Sequence, residues 1–432
     1  MFKKIKNIIS KIDIFLYKTF GSEKKLYFLE NLKEAKIIFS IFNETEKYDK
    51  VRFVGGCIRK ALCGDNIDDL DLATTLKPDE VKRKLTRENI KVIDTGISHG
   101  TVTAILNKVK FEITTLRKDV STDGRHANVE FTSDWTQDAL RRDFTINAIY
   151  ADINGKIFDP QDGVSDLQNG KIKFIGLPTE RIQEDYLRIL RYLRFFTQYS
   201  NEDHDQNAIS IIKQNINGLN KISNERIFDE LKKILLLKNV YNLFLHNQTK
   251  EIILSIFPQF KYFERLNKIG SLDKKLKDKY DSCLILALFI VDQSNNYEYF
   301  CYKYKISNEI KDRFKNISES FENLRNKKFY LKENIKKLIY LKGKNTVKDL
   351  LLFSECAINQ IETSKIEELI DYVITYKIPK FPISGDDLKK HGYKPGLMLG
   401  KELKLLEQKW IENNFVIDQK IIKKSLEKVK QN

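Results

Sequence analysis

Cysteine is scarce in this chain and falls into no pattern. The five cysteines (Cys57, Cys63, Cys283, Cys301 and Cys356) include no CxxC pair, which argues against zinc and against a disulfide framework. A reducing compartment, the cytoplasm, is the expected location. Histidine is as rare, with His99, His126, His204, His246 and His391 making up the whole set. His204–Asp205 is the single His–Asp step and has no downstream partner set, so a second metal centre of the phosphohydrolase type is not expected. Long apolar runs are missing as well. The N-terminal MFKKIKNIISKIDIFLYKTF is basic, but Lys and Asp interrupt it, and no later segment reaches the length of a membrane span. Neither a signal peptide nor a membrane partner is expected, and residues 1–28 read as an amphipathic helical extension. There is no low-complexity linker and no fixed-period repeat.

Positive charge is what the chain has in excess. Its 76 Lys and Arg against 60 Asp and Glu give a net charge of +16, which favours a polyanionic partner, nucleic acid first. A coding bias toward Lys, Asn and Ile would produce part of the same excess. With 432 residues and 41% hydrophobic content, the chain can bury a large core and divide into several domains. Its texture changes along the way. VRFVGG, DDLDLAT, TVTAILN and VKFEITTL are short β-branched or alternating runs bounded by turn residues. Beyond Pro178, ERIQEDYLRILRYLRFFTQY and SNERIFDELKKILLL carry apolar residues at helical spacing. An α+β head followed by a mostly α-helical remainder is expected.

The stretch GGCIRKALCGDNIDDLDLAT, Gly55 to Thr74, concentrates the chemistry. A strand, a double glycine and a helix start make a place where backbone N–H groups approach a phosphate. Asp69 and Asp71 alternate with apolar residues, so on a strand both carboxylates share one face. Such a pair suits Mg²⁺, which takes its remaining ligands from substrate phosphates. The bland reading is a capped acidic turn. Glu112, in KFEITTL, is a candidate third carboxylate, able to bind metal or to take the proton of an attacking hydroxyl; a solvated strand glutamate is the alternative.

Two more stretches are rich in arginine. In RRDFTINAIY, Asp143 is expected to cap a helix while one of Arg141 and Arg142 reaches a triphosphate or ribose. In ERIQEDYLRILRYLRF, Glu184, Asp185, Arg188, Arg191 and Arg194 follow one drifting face if the segment is one helix. A fixed Asp–Arg pair there can hydrogen-bond a base edge, whereas a salt-bridged solvent face is the commoner fate of such a pattern.

GGCIR, DLDLAT, RRDFTINA, GVSDLQNGKIKFIG, EDYLRILR and ISNERIFDEL, in this order, resemble the class II CCA-adding tRNA nucleotidyltransferase and bacterial poly(A) polymerase family of DNA polymerase β-like nucleotidyltransferases. The resemblance is dense from Asp49 to Leu236 and resumes at FPISGDDLKKHGYKPGLMLG. It implies an α+β nucleotidyltransferase head (29–157), followed by a mostly α-helical neck (158–236), body (237–345) and tail (346–432). Position by position, it implies that Gly55, Gly56 and Arg59 bind triphosphate and that Asp69 and Asp71 bind metal. Arg142 and Asp143 match the ribose-reading motif, and Asp185 and Arg188 the base-selecting pair. Arg191 and Arg194 match further nucleotide contacts, while Glu225 and Arg226 match a motif that braces the helix. Lys60 departs from the family, which commonly has Asp there, and adds a cation near the triphosphate.

Within the family, DTGISHGTVTAI (Asp94 to Ile105) resembles the tRNA-directed form. Between Arg117 and Asp143, RKDVSTDGRHANVEFTSDW resembles the flexible loop that CC-only enzymes usually lack. Its centre, Ser121 to Asn128, is expected to be mobile without nucleotide, with Asp123 and Arg125 as its levers. The resemblance thus implies addition of C, C and A to tRNA 3′ ends from CTP and ATP, with two Mg²⁺ ions and release of pyrophosphate. A-only addition and poly(A) synthesis are the alternatives. A non-catalytic RNA-binding protein would be expected to have lost one Asp of the DxD, and both are present. Small nucleotidyltransferases that modify other molecules typically lack the EDxxRxxR helix.

Overall fold

Strands crowd into residues 51–158 and helices take over from there. The computed structural model describes residue 26 and residues 32–43, 50–67, 69–96, 100–122, 127–200, 202–244, 246–390 and 392–416. The expected N-terminal extension, apart from Leu26, and the expected levers Asp123 and Arg125 lie outside the described residues. Two compact units make up the chain, Met1–Ile256 and Phe257–Asn432.

In the first unit, the apolar run Val51–Val54 forms β1, and β2 (Leu70–Thr74), β3 (Lys91–Gly96), β4 (Thr101–Leu106) and β5 (Val109–Thr115) follow from the alternating segments. With β8 (Tyr150–Ala151) and β9 (Ile157–Phe158) they build one sheet in the order β3-β4-β5-β2-β1-β8-β9. Strands β2 and β5 run parallel, with Asp71 opposite Glu112. The β4–β5 turn is made by Asn107 and Lys108, both at positive φ (49° and 69°), the backbone that matches the twist of a tight hairpin. Helices α1 (Lys33–Phe42) and α3 (Pro78–Arg87) cover one sheet face. There Ile38, Phe39, Phe42, Val81 and Leu85 pack on Phe53, Leu72, Phe111 and Ile113. Because strand side chains alternate, Asp71 and Glu112 project from the opposite face. Between β1 and β2 lies α2 (Gly56–Cys63).

Two local expectations are corrected. The stretch expected as a loop after Arg117 is largely a hairpin: β6 (Arg117–Thr122) pairs with β7 (Ala127–Phe131). Its β-branched residues favour a ladder, and Lys118 pairs with Glu130 at 2.9 Å. Asp143, in turn, caps no α-helix. After α4 (Trp135–Leu140), the residues Thr145–Asn147 make one 3-10 turn. The apolar run then continues into β8 beside β1, where Ile149 and Tyr150 are fully buried.

The neck carries α5 (Gly163–Gln168), α6 (Pro178–Glu184), α7 (Arg188–Tyr199), α8 (Gln206–Asn215), α9 (Asn224–Leu235) and α10 (Asn247–Ile256). Gly163 is required where it stands, since a Cβ there would lie 2.1 Å from the Thr145 carbonyl oxygen. The single helix expected through Glu184 and Arg194 is two. Asp185 is extended (φ −153°, ψ 104°), and its Oδ1 accepts from the Leu187 N–H at 3.2 Å. That local bond competes with the helical ladder.

The second unit is helical throughout its described residues. Ser282–Ile290 is buried along nearly its whole length and packs on Lys344–Ala357. Arg313 bridges Asp281 and Asp349 at 2.8 Å each. Farther on, Trp410 of Leu397–Glu412 packs on Tyr340, Phe381 and Phe415. Among the described residues no helix is long and apolar enough to cross a membrane.

Candidate active site

The site starts at the β1–α2 corner. Gly55 turns the chain at φ +65°, and its N–H bonds the Ile149 carbonyl at 3.1 Å. A Cβ on Gly55 would lie 3.7 Å from the Arg142 guanidinium, and one on Gly56 would lie 3.5 Å from Asp71 Oδ2. The open helix start therefore faces both the DxD strand and the RRD segment. The buried Cys57 thiol reaches the Asp71 carbonyl at 3.6 Å, tying α2 to β2.

Asp69, Asp71 and Glu112 are brought together. Asp71 and Glu112 are register partners, and Asp69, just ahead of β2, is near enough for its charge to act on Asp71. Burial first, then the charges of Glu112 and Asp69, push the Asp71 carboxyl up to about 6, against the pull of Arg142 and Lys60. Lys60, the departure from the family pattern, thus lies within electrostatic reach of the carboxylates. The three acids do not by themselves close into a metal cage. They do supply hard oxygen donors with crowded like charge, a set that a divalent cation with ligand places left for phosphate would neutralise.

Arg142 is held by a group the sequence reading missed. Asp138, 1% exposed, accepts from Arg142 Nε at 3.1 Å, from Arg141 Nε at 2.8 Å and from the Tyr150 hydroxyl at 2.7 Å. Burial alone would raise its pKa, but Arg142 and Arg141 hold it well below the usual carboxylate range. Its spacing, three and four residues before the arginines on a short helix, is a signal that was there to be read.

Asp143 is saturated. Its Oδ1 accepts from Phe144 N and Asn147 Nδ2, and its Oδ2 accepts from Arg191 at 2.7 Å. Against the cost of burial, Arg191 and the Asn147 amide lower its pKa to about 2. Asn147 also accepts from Arg59. Arg59 is turned to the interior, 6% exposed, with its guanidinium over Phe195 and Tyr199 of α7.

Asp185 and Arg188 are not paired with one another. Asp185 Oδ2 accepts from Arg226 of α9 at 2.8 Å, while Arg188 donates to Glu184 and to the Arg181 carbonyl. Arg181 in turn reaches the Leu140 carbonyl at 2.6 Å, beside the RRD segment. Arg194 donates to the buried Glu230 of α9 at 2.5 Å and lies over Phe195. His204 sits in the neck interior, its ring nitrogens against the Tyr192 and Thr249 hydroxyls at 3.2 and 2.6 Å. Asp205 caps α8 through Ala208 N.

Comparison with known proteins finds three family matches along the chain. Residues 51–173 match the Poly A polymerase head domain, and residues 205–263 match the probable RNA and SrmB-binding site of polymerase A. Residues 278–426 match the putative tRNA nucleotidyltransferase domain 2. The mitochondrial CCA tRNA nucleotidyltransferase 1 of Mus musculus is 34% identical over 418 residues, 93% of this chain and 91% of its own. The CCA-adding enzyme of Lactobacillus helveticus is 31% identical, covering 87% and 92%. In fold, the Bacillus stearothermophilus CCA-adding enzyme in complex with CTP superposes at a TM-score of 0.69 with 22% identity, over 93% of this chain and 99% of its own. The Thermotoga maritima enzyme complexed with tRNA gives 0.63 with 19% identity, over 94% and 98%. With a matching head at the carboxylate corner and a relative above 30% identity along 93% of its length, this chain belongs to the CCA-adding tRNA nucleotidyltransferase and poly(A) polymerase family and is a nucleotidyltransferase.

Proposed function

We propose that this enzyme adds C, C and A to the 3′ ends of tRNA from CTP and ATP, releasing pyrophosphate. The observation that carries the reading is the register of Asp71 with Glu112 beside the Gly55–Gly56 helix start. An attacking hydroxyl and a triphosphate can meet there on one rigid sheet face. The tRNA-directed names of the relatives favour tRNA over a poly(A) tail, and solved relatives in complex with CTP, ATP and tRNA are consistent with those partners.

Asp69 and Asp71 would hold the Mg²⁺ pair, with Glu112 alongside, as the crowded hard donors suit. When bound, such ions make the attacking hydroxyl easier to ionise and screen the triphosphate. The chain's own groups do the rest. Backbone N–H groups at the start of α2 and the Arg142 guanidinium bind phosphate oxygens, Arg142 being aimed by Asp138 and Tyr150. Glu112, half exposed, is the carboxylate able to take the hydroxyl proton at its free oxygen. Asp143 meets a ribose hydroxyl only if one of its donors yields, and Arg191, with a third of its side chain exposed, is the one able to swing. Asp185 and Arg188 present acceptor and donor to the base edge, each aimed by its own partner.

We assign head, neck, body and tail to residues 29–157, 158–236, 237–345 and 346–432, with 1–28 as an extension. Body and tail would hold the acceptor arm through phosphate contacts and helix shape. The five free cysteines suit a reducing compartment, which the cytoplasm and the interior of the mitochondrion named for a relative share. The deciding experiment offers the full-length protein tRNAs lacking the last one, two or three nucleotides, with CTP and ATP separately and together. Complete restoration of all three is expected. Addition of A to a CC-ended tRNA without C addition to the shorter ones, or an extended A ladder, would overturn the choice of activity.

A further inference from the structure

A lysine from the same strand stands against Glu112. Lys110 Nζ lies 2.8 Å from Glu112 Oε1. Strand alternation puts Lys110 and Glu112 on the same face of β5, the face away from Phe111 and Ile113 and the core they enter. The parallel register places it further. Phe111 is opposite Leu70 and Glu112 is opposite Asp71, so Lys110 lies one step beyond the paired register, at the end from which Asp69 enters β2. The contact with Glu112, and after it the charges of Asp69 and Asp71, raise the lysine's pKa.

Asp71 on β2, Glu112 on β5 and Asp69 just ahead of β2 repel one another, and Lys110 adds a positive charge at Glu112 beside those that Arg142 and Lys60 bring to Asp71. We propose that Lys110 is an internal counter-ion of the carboxylate site, which a divalent cation must displace from Glu112 in order to fill it. Lys110 then sets the metal concentration at which the site loads, and it keeps the acids ordered until loading occurs. The inference rests on the reading of Asp69 and Asp71 as the metal-holding pair with Glu112 alongside. The pair is half exposed on both sides, so its effect is moderate and fades with salt.

The test uses the full-length protein without nucleotide and Mn²⁺ as the probe. Binding is followed by isothermal titration calorimetry and by water-proton relaxation. Lys110→Met is expected to tighten Mn²⁺ binding about three- to five-fold at low salt, with the gain collapsing at about 1 M salt. Lys110→Arg, which keeps the charge, is expected to bind as the wild type does. Asp71→Asn is expected to lose binding. If Asp71→Asn binds Mn²⁺ normally, the metal-site reading itself fails. If Asp71→Asn loses binding while Lys110→Met leaves it unchanged or weakens it, the metal site stands and the counter-ion inference is overturned.

Discussion

Base choice should depend on an arginine that touches no nucleotide. Asp185 is fixed at both oxygens: Arg226 donates to Oδ2 at 2.8 Å and the Leu187 N–H reaches Oδ1 at 3.2 Å. A well-placed bidentate contact to a base edge is worth about 1–3 kcal/mol of discrimination, roughly 5- to 150-fold. Asp185→Ala removes the acceptor and should lose that whole factor. Arg226→Ala leaves the acceptor but frees one oxygen, so a loss near the lower end, about five-fold, is expected. The contact is partly buried, with side-chain exposures of 29% and 23%, so solvent replaces it only in part. Single-turnover incorporation of CTP against UTP on a tRNA lacking its last three nucleotides reads the ratio directly. The double variant should lose no more than Asp185→Ala alone, because Arg226 acts through Asp185. Uniform slowing with both pyrimidines, or additive losses, would show that Arg226 only stabilises the neck and that Asp185 does not read the base.

Three further outcomes are expected. Asp138→Asn keeps the shape but removes the charge that Arg141, Arg142 and Tyr150 share, and it should cost the first unit about 2–4 kcal/mol. Urea unfolding followed by Trp135 fluorescence in a Trp410→Phe background measures it, and a loss under about 1 kcal/mol would refute the hub. Burial first, then His246, lowers His204 from 6.5 to about 4, so its contribution is intact above pH 6.5 and is lost as pH falls toward 4. That amounts to roughly 2 kcal/mol by about pH 5. His204→Gln should flatten this part of the stability curve, and parallel wild-type and variant curves would refute it. Replacing residues 123–126 with Asn-Gly preserves β6 and β7 and should leave C addition while stopping at CC. Normal terminal A incorporation on a gel would refute a role for this segment in the change from CTP to ATP.

What could be read in advance was what repeats with the backbone. The runs VRFVGG, DDLDLAT, TVTAILN and VKFEITTL became β1, β2, β4 and β5, with Asp71 on β2 and Asp69 just ahead of it. The segment after Arg117 reads as a loop by its polar tip, although the β-branched residues on either side of it belong to strands that pair in register. Asp185 broke the long neck helix because its side chain competes for a backbone N–H, which apolar periodicity does not record.

The partner of each arginine was harder to read, and the cause is distance along the chain. Asp138–Arg142 and Glu184–Arg188 lie four residues apart and were open to inspection. Asp185–Arg226 and Arg194–Glu230 span 41 and 36 residues, so only the packing of α9 against α7 decides them. Arg59 shows why this matters for function. The motif places it at the triphosphate corner, but the fold seats its guanidinium on two rings of α7 and on Asn147. Asn147 bonds Asp143, which holds Arg191 of that same helix. One chain of contacts thus runs from the β1–α2 corner through Asn147 and Asp143 to α7. Under the proposed base-reading role, a shift of α7 would be carried along this chain, so substitutions at Asn147 should alter nucleotide selection as well as rate.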